Sequence, residues 1–132
     1  MKGFIPKFYR DGQPDAYKYL PADANSYTIG KPLCVSGGRL TAAYGTDKVQ
    51  YISMYEGDIT EETVIPVIAV DQATEYEVVL ENAVAGLVPG MKCKLDELGT
   101  GLSVLDDGEE ANVIVLTCTG ESIGDTAVVQ FI

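Results

Sequence analysis

The chain contains no histidine and no tryptophan. Without histidine, no Ser–His or Cys–His nucleophile can be assembled within one chain, and no histidine-bearing zinc site either. Cysteine is scarce: Cys34, Cys93 and Cys118 lie far apart and are odd in number. That gives neither a disulfide framework nor a metal-binding spacing, and the reading is of three reduced core residues in a protein made in the cytosol. No apolar run approaches the ~20 residues of a membrane span. The N-terminal stretch Met1 to Lys7 carries charge but no apolar centre, so no signal peptide is expected. Helical spacing is missing too. Apolar recurrence at i, i+3, i+4 is nowhere sustained for three turns, so at most one short helix is expected. Positive charge is in short supply: nine Lys and Arg stand against twenty Asp and Glu, a net charge of −11. Such acidity disfavours nucleic acid as a partner, because phosphates are repelled and few counterions are released.

What remains is β-sheet pattern. Tyr76, Val78 and Leu80 alternate with Glu75, Glu77 and Glu81, and Met91, Cys93 and Leu95 alternate with Lys92, Lys94 and Asp96. Period two with a polar opposite face marks a half-buried strand. Val64 to Val70 is almost continuously apolar and β-branched, which reads as a strand buried on both faces. Turn chemistry punctuates the rest. Ser36-Gly37-Gly38 joins Pro32–Val35 to Arg39–Tyr44 as a hairpin. Pro89-Gly90 fits a type II turn, with proline presetting φ and glycine taking φ > 0. Gly99-Thr100-Gly101 and Asp106 to Glu110 are further turns. Val49–Tyr55, Ala111–Thr119 and Thr126–Ile132 read as strands, and Glu56–Thr63 as a polar surface loop. The 132 residues therefore predict one all-β domain, a small β-barrel or sandwich of about eight or nine short strands.

The first 32 residues differ in composition. They hold Tyr9, Tyr17, Tyr19, Tyr27, Phe4 and Phe8, with five cations against three carboxylates, a local charge of +2. The remaining 100 residues carry four cations and seventeen carboxylates, −13. Pro6, Pro14, Pro21 and Pro32 disfavour helices and central strands here. The expectation is an extended, aromatic, mildly basic arm over residues 1–26 and a β-barrel domain over 27–132. Aromatic anchors and opposite charge make Phe4, Phe8, Tyr9, Arg10, Tyr17 and Tyr19 the expected binding residues, toward a partner or a neighbouring subunit.

Catalytic candidates are thin. Glu61-Glu62 and Asp106-Asp107-Gly108-Glu109-Glu110 are the carboxylate pairs, but the latter lacks the alternating ligand order of a calcium loop, so a solvated turn is expected. Lys92 and Lys94 would face Glu75, Glu77 and Glu81 if their strands pair. No catalytic residue, metal ligand or cofactor is assigned, and no enzyme activity is expected.

One further pattern points outward. Tyr27-Thr28-Ile29-Gly30-Lys31-Pro32-Leu33, the Gly-Gly hairpin and Tyr51-Ile52-Ser53-Met54 are followed by Val64-Ile65-Pro66-Val67-Ile68. Then come Leu87-Val88-Pro89-Gly90-Met91-Lys92-Cys93-Lys94-Leu95 and a closing Gly124-Asp125-Thr126-Ala127-Val128-Val129. From Tyr27 to the end, the chain resembles the head-decoration (capsid cement) proteins of tailed bacteriophages and of prophages. The resemblance implies a compact β-barrel that forms a homotrimer, binds the major capsid protein on the outer surface of the head shell and stabilises it. It also implies a virion protein made in the host cytoplasm, with no membrane and no nucleic-acid partner, and often with a docking N-terminal arm. The other class to weigh is a carbohydrate- or cell-surface-binding β-sandwich module of a phage tail fibre or adhesin, although such modules usually stack sugar on tryptophan.

Overall fold

The computed structural model describes residues 3–8 and 16–132. It is all-β: thirteen strands and no helix among the described residues. In chain order these are β1 (Phe4–Phe8), β2 (Lys18–Ala22), β3 (Asn25–Tyr27), β4 (Pro32–Ser36), β5 (Arg39–Ala42), β6 (Tyr51–Ser53) and β7 (Gly57–Ile59). They continue with β8 (Thr63–Ala69), β9 (Glu75–Val79), β10 (Lys92–Leu95), β11 (Leu102–Ser103), β12 (Val113–Cys118) and β13 (Thr126–Phe131). β2, β5, β4, β6 and β8 close into a five-stranded barrel. A six-stranded sheet runs β1-β9-β13-β12-β10-β11, and β3 pairs with β7 in a separate two-stranded ribbon.

Barrel and sheet share their packing. Strand alternation sends Ile65 and Val67 of β8 into the barrel interior, where they meet Ala22, Leu33 and Leu40. Ile68 of β8 and Ile52 of β6 belong instead to the sheet's core, with Tyr76, Val78, Cys93, Val115 and Val129. This is why Val64 to Val70 reads as continuously apolar: inner and outer faces of the strand are covered by different neighbours. Only its first residues escape, Thr63 and Val64 being exposed. The β3–β7 ribbon contributes Tyr27 and Ile59 to the barrel cluster, so the Glu56–Thr63 segment is part strand and not simply loop.

The hairpin and turn readings hold. Ser36 pairs with Arg39 across Gly37 and Gly38, whose φ of 60° and 81° suit a primed hairpin turn. Met91 N donates to Val88 O across Pro89-Gly90. β10 turns back onto β11 through Gly99-Thr100-Gly101.

Three expectations change. The described residues among the first 26 are not an arm apart from the body. β1 is an edge strand of the large sheet, with Phe4 opposite Val78, and β2 is a barrel strand paired with β8 over five residues. Second, proline does not stop these strands: Pro6, Pro21, Pro32 and Pro66 lie inside β1, β2, β4 and β8. Each occupies a place with no ladder donor to give. Pro6 is on the sheet's edge and Pro32 starts its strand. Pro21 lies beside β5, which meets β2 only at Ala22–Leu40. Pro66 is just past the β6 ladder, which ends at Ser53–Val67. Third, β9 and β10 are not neighbours. β9 lies between β1 and β13, so Glu77 takes Lys7 at 2.9 Å and Lys94 takes Asp106 and Glu109.

Candidate docking surface

Two kinds of surface invite a functional reading, carboxylate clusters and exposed apolar groups. The carboxylates gather in a cleft of about 640 Å³ between the Tyr44–Asp47 turn and the residues from Ser103 to Glu109. Asp47, Asp96, Glu97, Asp106 and Glu109 line it, with Lys94 as the cation. Most of these groups are engaged in local structure. Asp47 accepts the Tyr44 N–H at 3.1 Å, and Asp96 accepts that of Leu98 at 3.2 Å. Glu109 accepts the Asp106 N–H at 2.8 Å and Lys94 Nζ at 2.6 Å. The lysine's bonds to Glu109 and to Asp106 lift its pKa above the ordinary value, that to Glu109 most. The carboxylates cap turns, as short carboxylate side chains commonly do. The Asp106–Glu110 turn, expected to be simply solvated, is clamped from below by a lysine whose side chain is only 15% exposed. Among the described residues no group of three or more metal-binding side chains converges.

Asp96 is nearly fully buried. Burial pushes its carboxyl above the usual range, and the charge of Glu81 adds to this, against the backbone bonds from Gly101, Gly99 and Leu98. Glu81 in turn accepts the Thr100 hydroxyl at 2.5 Å. The pair fixes the 96–101 turn. Cys93 is buried and free, and burial pushes its thiol up to about 11. A thiol so shifted is a poor nucleophile at neutral pH.

The aromatic binding residues expected from the sequence divide. Phe4 is fully buried, its ring centroid 5.1 Å from that of Phe131, which also packs edge-on against Tyr76 at 5.1 Å. It belongs to the core and is withdrawn from any interface; a phenylalanine on an edge strand facing the sheet's apolar side has more to gain by burial than by waiting for a partner. Phe8 ends β1. Tyr9 and Arg10 lie outside the described residues. Tyr17 and Tyr19 are exposed, at 55% and 65%.

Tyr19 is not alone. It stands opposite Pro66, and Pro21 stands opposite Val64, which is 56% exposed. Leu20 packs against the barrel interior and Ala22 lies within it, so alternation turns Tyr19 and Pro21 outward. The result is an apolar strip on the outer wall of the barrel, carried by β2 and β8. Its rim is charged but internally paired: Arg39 bridges Asp23 at 3.3 Å and Glu62 at 3.1 Å. An apolar centre inside a polar rim is the anatomy of a protein interface. The sequence pointed to Tyr17 and Tyr19 by aromatic density, but missed Val64 and Pro66. They sit in an apolar run whose periodicity cannot say which end is left uncovered. Val88, Leu98 and Ile123, the other strongly exposed aliphatics, lie on connections outside this strip. Against protein-family models and against curated proteins, the chain matches none.

Proposed function

We propose that this protein is a non-enzymatic structural component of a tailed-phage or prophage head, bound to the outer surface of the capsid shell, which it stabilises. The observation that carries the reading is the outward-facing strip of Tyr19, Pro21, Val64 and Pro66 on a barrel wall, with Tyr17 exposed beside it. It is joined by the sequence resemblance to head-decoration proteins from Tyr27 onward. A rigid platform suits the task, since little conformational freedom is lost when paired strands and tyrosines dock. Assembly as a homotrimer would multiply weak contacts with the major capsid protein through effective concentration.

The test is co-sedimentation of the purified protein with phage heads that lack it. Saturable binding, with a raised temperature of head disruption, is the expected result. Absence of binding, together with specific retention on a glycan array, would place the chain with cell-surface-binding modules instead.

A further inference from the structure

We infer that Asn25 is a site of spontaneous deamidation, in which the Ser26 backbone nitrogen attacks the Asn25 side-chain carbonyl carbon and ammonia leaves. The chemistry is independent of what the barrel wall binds.

Geometry singles the site out. Asn25 and Ser26 are both exposed, at the start of β3. The Ser26 N–H donates to Asn25 Oδ1 at 2.8 Å, which holds the attacking nitrogen beside the carboxamide. Asn25 forms an end pair of the β3–β7 ribbon, with Ile59, and the ribbon has three pairs in all. An extended backbone at Asn25 keeps the ring from closing. An end residue of so short a ribbon makes the needed ψ rotation by fraying, which costs little free energy. The Ser26 hydroxyl withdraws electrons and makes its own N–H more acidic than that of an alanine or a valine.

The steps balance. Solvent base takes the Ser26 amide proton, and the nitrogen bonds to Asn25 Cγ. The Cγ–Nδ2 bond breaks, and Nδ2 leaves as ammonia with a proton from water. Water then opens the five-membered imide at either carbonyl. One opening leaves Asp at position 25. The other leaves isoaspartate, which routes the chain through the side chain and adds a methylene to the backbone. Either product adds one negative charge.

The other asparagines are held back. Asn112 is 4% exposed, and its Nδ2 donates to Gly45 O at 2.9 Å and to Asp47 O at 2.7 Å. Branched Val113 follows it. Asn82 ties its Nδ2 to Asp96 Oδ2 at 3.5 Å and precedes Ala83, whose methyl group withdraws nothing. The two products at Asn25 differ in their effect on the fold. Tyr27 is buried in the barrel cluster, opposite Gly57, with its hydroxyl donated to Asp23 O at 2.7 Å. The added methylene of isoaspartate pushes Tyr27 out of that register, whereas Asp keeps the backbone length.

The experiment ages the full folded chain at mildly alkaline pH and body temperature. Beside it are aged Asn25→Gln, whose longer side chain must close a six-membered ring, Asn82→Gln, and wild type unfolded in urea. Isoelectric focusing reads the added charge, peptide mass mapping locates it, and protein isoaspartate methyltransferase labels the isoaspartate. Folded wild type and Asn82→Gln should gain an acidic form by one charge, mapped to residue 25, and Asn25→Gln should not. Isoaspartate from the Asp107-Gly108 turn adds no charge, so the two readouts together separate it. The aged isoaspartate form should have a lower urea midpoint than unaged Asn25→Asp, which carries the same charge. If the acidic form maps to Asn82 or Asn112, the site is misassigned. If the folded chain gains no acidic form while the chain in urea does, the ribbon protects Asn25 and the inference is overturned.

Discussion

At position 4 a phenylalanine lies against Phe131, within the cluster that also holds Tyr76. That single placement decides the status of the N-terminus. Truncating a fully buried phenylalanine costs about 3–5 kcal/mol through lost transfer energy and the cavity left behind. Phe4→Ala should therefore lower the urea midpoint substantially. Removing residues 2–8 should destabilise at least as much, because the partner face of β9 is uncovered. An unchanged midpoint would show the segment to be a loose tail. Asp96 makes a second residue-scale prediction. Its folded-state pKa lies above the ordinary value, first because it is buried and next because Glu81 faces it. The folded state thus favours the protonated form. Its contribution to stability is complete below the unfolded value, about pH 4. It is lost as pH rises through the folded value, so at neutral pH the charge is a burden. Asp96→Asn removes the titration and leaves an oxygen to accept the Leu98 N–H. The stability of wild type relative to Asp96→Asn should rise as pH falls from 7 towards 5, measured as the difference in urea midpoints. A pH-independent difference would sink the account.

Among the elements, what could be read was what local chemistry dictates. Alternation in Glu75–Leu80 and Met91–Asp96, two glycines between short apolar runs, and Pro-Gly before a strand all specify conformation within a few residues. What could not be read was partnership. The period-two pattern of β9 says which face is buried but not that β1 and β13 flank it. The same run of apolar residues in β8 conceals that Ile65 and Ile68 serve different cores and that Val64 serves neither. Proline misled for a related reason: it forbids a donor, not a strand, and whether a donor is needed depends on the neighbour. Of the docking surface, Tyr17 and Tyr19 were legible in composition; Val64 and Pro66 became part of it only through the β2–β8 register. Two glycines make the turn chemistry testable. Gly99 and Gly108 both have positive φ, 79° and 82°. A Cβ at Gly108 would meet open space, whereas at Gly99 it would collide with the carbonyl oxygen of Ala43. Gly108→Ala should cost about 1–2 kcal/mol for the left-handed backbone alone. Gly99→Ala should cost about 1–3 kcal/mol more for the overpacking. Equal losses in denaturant melts would count against the contact with Ala43.

For the whole molecule, the two cores are not independent. β6 and β8 turn one face to the barrel interior and the other to the sheet, so neither core persists once those strands are lost. Unfolding should be a single transition, with coincident midpoints from far-ultraviolet circular dichroism and tyrosine fluorescence. Two separated transitions would show that barrel and sheet melt on their own. The rim of the large sheet carries a different consequence. Phe4 gives its N–H to Gly30 O, Pro6 has none to give, and the register slips between Pro6 and Phe8; at the far side β11 is two residues long. An exposed sheet border is otherwise a template for adding further chains, the first step toward fibres. Here both borders are blunted, one by proline and a bulge and the other by brevity, so many copies crowded together can stay separate molecules with their backbones unzipped from one another.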